Sequence, residues 1–279
     1  MSFKVVVALA AFFSIYLNPL YSKAEVLLDP KQKAKELFNQ RQEKSKLEES
    51  IRLMEEFLSK EKDYELSVLL SRAYYFMAEY AEDNTQRLEI HDKGVKSGEM
   101  ALNQVEAYTQ ALKNSGKEED AVKAISNENL DALYWTAANL ARWAKFAPFT
   151  KKIAAKPRVR YLWDRVSEID ANYFYGGVYR FFGGYYALVP TITGEQDPVK
   201  SKEMFEKALI TAPQYLETKI LYAEAYCTHA KIKDRELFQK LLNEVIQADL
   251  SANPEIFAEN SIAKAKAEKL LKEEQELFE

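Results

Sequence analysis

The sequence holds one cysteine, Cys227, and two histidines, His91 and His229. A lone cysteine excludes an intramolecular disulfide, and neither histidine stands at metal-ligand spacing from a second ligand, so no metal site and no cofactor is expected. Both histidines read as surface residues, and Cys227, set among Tyr222, Ala223 and Tyr226, as a buried inert thiol. Glycine and proline are scarce, eight of each in 279 residues, and no stretch alternates apolar with polar residues at the strand period of two. An all-α chain follows. Charge of one sign is scarce too, the net being −4, which removes the basic field that attracts nucleic acid or anionic lipid.

Long apolar runs are absent except at the start. Lys4 precedes the apolar run Val5 to Leu17, which is too short to span a bilayer, and Ser22-Lys23-Ala24 supplies small residues for cleavage. Residues 1–24 therefore read as a signal peptide cut after Ala24, and 25–279 as a single α-helical repeat domain. No cysteine adjoins the cleavage site, so the product is not a bacterial lipoprotein. Cleavage removes Lys4 and Lys23 and no acid, leaving the mature chain two units more negative. The expected product is a periplasmic protein without stable membrane insertion.

Aromatic residues are plentiful, and they concentrate between Tyr173 and Tyr186, ahead of a second segment ending at Pro213. The first segment reads as a helix buried nearly all round. Gly176, Gly177, Gly183 and Gly184 recur about two turns apart and are expected to share one face. Asp197-Pro198 is a cap-plus-proline start for the second helix. Tyr179, Phe182, Gly183 and Tyr186, then Ser201, Phe205, Ala208 and Pro213, fill the helix-A and helix-B slots of a tetratricopeptide repeat, with about six residues inserted in the loop. The fold read from this is a tetratricopeptide-like helical-repeat solenoid with irregular inserted loops.

Elsewhere the helical period places helices from Asp29-Pro30 to about Arg41, Leu47 to Ser59, Tyr64 to Ala81, Thr85 to Leu102 and Asn127 to Phe146. Pro148 and Pro157 bracket a basic stretch, after which helix is expected to resume near Tyr161. Tyr215 to Ala230 pairs with Asp234 to Ala248. Asn253-Pro254 opens a Lys/Glu-rich C-terminal capping helix.

No catalytic constellation stands out, and binding is the better reading. Tyr134, Trp135, Trp143, Tyr175, Tyr185 and Tyr186 combine apolar area with polar tips, as core or as the walls of a ligand box. Arg142 and Arg180 lie in strongly apolar helices, where an unpaired charge is costly. They either pair with acids across helices or face a cavity and bind a carboxylate. Lys151, Lys152, Lys156 and Arg158 form either a solvated face or a docking surface for an acidic partner. Glu195 and Asp197, on the inserted loop, would lie near the functional face.

Taken together, YWTAANLARWAKF (134–146), DANYFYGGVYRFFGGYYALVP (170–190), FEKALITAPQYLETKILYAEAY (205–226) and NSIAKAKAEKLL (260–271) resemble TatT, the T-component associated with TRAP transporters. The resemblance spans roughly Leu66 to the C-terminus. It implies an all-helical, non-enzymatic periplasmic protein with cryptic tetratricopeptide-like repeats. It also implies work alongside the solute-binding protein of a tripartite ATP-independent transporter, within a homo-oligomer that offers a path to a small organic-acid or apolar ligand. The chain departs from the family in lacking a lipobox cysteine. A peptide-binding adaptor in envelope assembly is the alternative, and it would show a continuous concave groove rather than a cavity.

Overall fold

Four aspartates begin helices by accepting backbone N–H groups: Asp63 from Leu66, Asp83 from Gln86, Asp197 from Val199 and Lys200, and Asp234 from Leu237. Between such starts the helical period of the apolar residues does the rest. The computed structural model describes residues 29–279, and the signal-segment reading lies outside them. The described residues form α1 (Pro30–Phe38), α2 (Lys44–Leu58), α3 (Tyr64–Met77), α4 (Asn84–Leu102), α5 (Glu106–Ser115), α6 (Glu118–Val122) and α7 (Leu130–Phe146). Then come α8 (Phe149–Ile169), α9 (Tyr173–Leu188), α10 (Pro198–Thr211), α11 (Glu217–Leu221), α12 (Arg235–Gln247), α13 (Phe257–Lys272) and α14 (Glu274–Phe278). Among these residues there is no strand, as the missing alternation requires.

Successive helices pack side by side, α1 on α2, α2 on α3, α3 on α4, then α4 on α7, α7 on α8, α9 on α10 and α12 on α13. Glycines set the closest approaches. A Cβ added at Gly94 or Gly98 of α4 would run into Asn139 or Thr136 of α7, and that contact offsets the roughly 1 kcal/mol that each helical glycine costs. Ser201 Oγ donates to the Gly183 carbonyl at 2.7 Å, and Phe205 covers Gly183, so the α9–α10 pair forms through the residues its spacing indicated. The C-terminal helix α13 is also a clasp. Its Glu259 lies between Arg41 (2.5 Å) and Arg72 (2.9 Å), and its Lys266 reaches Glu79 at 2.9 Å. The last long helix thus closes against the first three.

The structure departs from the local sequence pattern in five places. Helix α5 carries no clear signal in the sequence, because only Tyr108 of it is buried and no side chain caps its start. Helix α8 does not break at Pro157 but runs from 149 to 169. Pro157 is exposed, so its ring stands on the outer side of α8, and the helix continues through it with one backbone hydrogen bond fewer. Helix α9 has three left-handed residues at its start, Phe174 (φ 47°), Tyr175 (φ 56°) and Gly176 (φ 69°). The four glycines of α9 do not share a face: Gly177 meets Tyr134, Gly183 meets Phe205, and Gly184 has open space. Beyond α11 the chain continues as a π-helical turn, Tyr222–Cys227, a form that often marks functional regions.

His91 is also not a surface residue. It is 3% exposed, bonded through Nδ1 to Asn139 Oδ1 at 3.0 Å and stacked on Phe146. Asn139 in turn donates to the Ser71 carbonyl, so its oxygen is left to accept from the imidazole. Cys227 is buried, as expected.

Gly183→Leu should lower stability by about 1–3 kcal/mol, because a Cβ there would sit 2.8 Å from the Phe205 ring, and the melting temperature reads the loss. Burial pushes His91 down to about 4, against a weaker upward pull from Asn139, with Arg142, Glu79 and Arg87 as the other charges around it. The unfolded chain takes that proton below its ordinary value near 6.5, whereas the folded chain refuses it until about 4. Stability should therefore fall as pH drops from 6.5 towards 4, by about 2–3 kcal/mol. Denaturant melts across that range should show a flatter profile in His91→Asn.

Candidate ligand-binding cavity

Helices α7 and α9 touch near Gly177, where an added Cβ would lie 2.5 Å from the Tyr134 hydroxyl. Beyond that contact they separate. A cavity of about 360 Å³ fills the gap, with α8 along one side and Leu221 of α11 on another. Its walls are Ala138, Ala141 and Ala144 from α7, Ile153, Val159 and Trp163 from α8, and Phe181, Gly184 and Leu188 from α9. Trp163 and Phe181 stack at 4.2 Å between centroids. Val189 and Pro190, leading into the inserted loop, complete the lining.

The two arginines meet different fates. Arg142 reaches Glu217 at 2.8 Å and the Tyr75 hydroxyl at 3.1 Å. Lys266 bridges Glu217 (3.1 Å) and Glu79 (2.9 Å), giving a closed set of two acids and two bases. Burial pushes Glu79 up, but the charges of Lys266 and Arg142 outweigh it and hold the carboxyl at about 2. Arg180 is 6% exposed and, among the described residues, has no acid within ion-pair distance. Its guanidinium donates to Tyr175 O at 2.9 Å, to Phe174 O and the Tyr134 hydroxyl at 3.3 Å, and to Thr218 Oγ1 at 3.4 Å. It also lies 4.3 Å from the Tyr215 ring centroid. The two carbonyls belong to the left-handed turn that opens α9. Left-handed geometry costs roughly 1–2 kcal/mol at a residue with a Cβ, and here it aims adjacent carbonyls at one cation.

Of the residues singled out as ligand contacts, Tyr134, Arg142, Arg180 and Tyr185 line the cavity. Trp135 packs on Tyr75, Tyr134 and Phe174, Tyr175 stacks on Tyr215 and Tyr186 stacks on Phe182. Trp143 packs on the central core. Of the basic stretch, Lys152 and Lys156 line the cavity, and Lys151 is exposed. Arg158 turns away to Glu99 (2.6 Å) and Glu118 (2.5 Å). Glu195 accepts from both Lys156 and Tyr185, which ties the inserted loop to the cavity rim. The Lys156 hydrogen bond, then that of Tyr185, holds the Glu195 carboxyl below the usual range. Asp197 caps α10. Sequence reasoning missed Tyr75, Ile153, Val159, Trp163 and Phe181. A signal was present, because 152, 156, 159 and 163 lie on one helical face once α8 is read through Pro157.

The sequence profile of the TRAP transporter T-component family, TAtT, matches residues 51–278. The chain belongs to that family. No curated protein matches it. The match covers every helix that contributes to the cavity, so the cavity of this T-component lies wholly within the family's span. The T-component is a part of a transport system, and the described residues include no helix long and apolar enough to cross a membrane. They also include no group of three His, Cys, Asp or Glu that could hold a metal.

Gly177 and Gly184 give a paired test of the cavity. Gly184→Leu places its side chain in open space and removes a helical glycine, so the melting temperature should hold or rise. Gly177→Leu meets Tyr134 and should destabilise by about 1–3 kcal/mol. A drop of equal size in both variants would show that the space beside Gly184 is filled.

Proposed function

We propose that this T-component is a non-enzymatic periplasmic protein that docks the solute-binding protein of its TRAP transporter and takes part in ligand uptake through the α7–α8–α9 cavity. Residues 1–24 act as the export signal, and 25–279 act as one helical-repeat unit of tetratricopeptide-like pairs. The observation that carries the reading is the cavity itself, apolar over most of its walls, with five cations and no acid in its lining, in a chain of this transport family. Its rim carries Lys152 and Lys156, with Lys151 exposed beside them and the inserted loop pinned to the same rim by Glu195. A partner seated on that rim would meet the ligand compartment directly, and acidic groups on it would meet the lysines. The envelope-assembly adaptor called for a continuous groove for peptide tails, and an apolar cavity between three helices favours the transport reading. Assembly into a homo-oligomer is compatible with it and can be read in the same experiment.

Capture of TRAP solute-binding proteins from periplasmic extract by the immobilised mature chain tests the proposal. The wild type should retain one, and Lys151→Glu combined with Lys152→Glu should lose most of it without a change in melting temperature. Neither lysine has an ion-pair partner among the described residues, so the fold does not depend on them. If the wild type retains none, the docking proposal fails.

A further inference from the structure

We infer that the cavity is a receptor for a singly charged organic anion with an apolar body, its anionic group held by Arg180. This deepens the transport reading and rests on the cavity being the ligand compartment. The lining contains five cations and no acid. Three of the five are matched by acids outside the lining: Arg142 by Glu217, Lys145 by Glu224 at 2.9 Å, and Lys156 by Glu195. Arg180 and Lys152 have no acid within ion-pair distance among the described residues. Lys152 is partly exposed and solvated, so a second charge on the ligand gains little from it. Arg180 is buried, and a guanidinium cannot shed its charge by losing a proton.

The contacts of Arg180 leave it under-served. Its four acceptors are all neutral oxygens, and only Tyr175 O at 2.9 Å falls within the ordinary 2.7–3.2 Å range; the others stand at 3.3–3.4 Å. A carboxylate or similar anion offers what these lack, a full charge in a two-pronged geometry. The remaining wall fixes the rest of the ligand. Ile153, Val159, Trp163, Phe181 and Leu188 present carbon surface, and a second buried anionic group there would have no partner. At about 360 Å³ the space lies at the small end of ligand pockets.

A purely structural role for Arg180, holding the Phe174–Tyr175 carbonyls, predicts a change in stability on substitution and no dependence of binding on ligand charge. Titration calorimetry with the mature chain separates the two. The probes are the straight-chain monocarboxylates from butanoate to decanoate and phenylacetate, then octanol and suberate as the uncharged and doubly charged matches of octanoate. At least one monocarboxylate should bind one per chain. For the octanoate set, octanol and suberate should each bind roughly tenfold or more weakly, the worth of a hydrogen bond to a charged group. Arg180→Gln should lose the preference for acid over alcohol, Arg180→Lys should retain part of it, and Gly184→Leu should exclude every probe while remaining folded. Equal binding of octanol and octanoate, an Arg180→Gln variant that keeps the acid preference, or no saturable binding by any monocarboxylate would overturn the inference. Arg180 lies inside, away from the docking rim, so Arg180→Gln should still capture the solute-binding protein. Loss of capture by the wild type with acid binding intact would sink the docking proposal alone.

Discussion

A buried guanidinium beneath a left-handed turn is the constraint on which the centre of this structure depends. Arg180 sits on the same helix as the turn that serves it, five and six residues beyond the carbonyls of Tyr175 and Phe174. For those carbonyls to face the guanidinium the chain must leave right-handed geometry for three residues, two of which carry side chains. Strain of this kind persists only where the surroundings over-determine it. Here Phe174 is fixed by Trp135, Tyr134 and Tyr215, and Tyr175 by stacking on Tyr215. The aromatic density of the 173–186 segment thus has a job beyond filling volume: it locks a turn that the backbone alone would not adopt.

The charge arrangement around this point is selective. Arg142, Lys266, Glu79 and Glu217 neutralise one another on the α3, α7, α11 and α13 side. Arg41 and Arg72 share Glu259, and their guanidinium groups also lie over the rings of Phe38 and Phe174. These pairs join helices far apart in the chain and close the last long helix onto the first. Buried pairs of this kind add little net stability over apolar packing, but breaking one leaves an expensive charge. They therefore fix arrangement more than they supply energy. Arg180 stands outside this scheme.

Much of the scaffold was legible in the residues. Capping aspartates and the 3.6-residue period locate most helices, and the spacing of Gly183, Ser201 and Phe205 predicts the α9–α10 contact that is observed. The candidate site was legible by half: Tyr134, Arg142, Arg180 and Tyr185 reach the cavity, whereas Trp135, Trp143, Tyr175 and Tyr186 support it or pack elsewhere. The α8 wall was hidden by Pro157. A proline usually ends a helix, but Pro157 stands exposed inside one, and sequence does not say which face a proline takes.

What the sequence by itself determined is everything that depends on near neighbours: the all-α class, most of the helix starts, the apolar stripes and the family. Those features need only a local period or a cap three residues away. The tertiary structure alone decided what depends on partners distant in the chain. Arg142 and Arg180 look alike in their helices, yet Glu217, 75 positions from Arg142, neutralises one while the other meets only neutral oxygens. His91 looks like a polar surface residue until Asn139, 48 positions on, buries and bonds it. A charge or a hydrogen bond acts through distance in space, and distance in space is what a one-dimensional pattern does not contain.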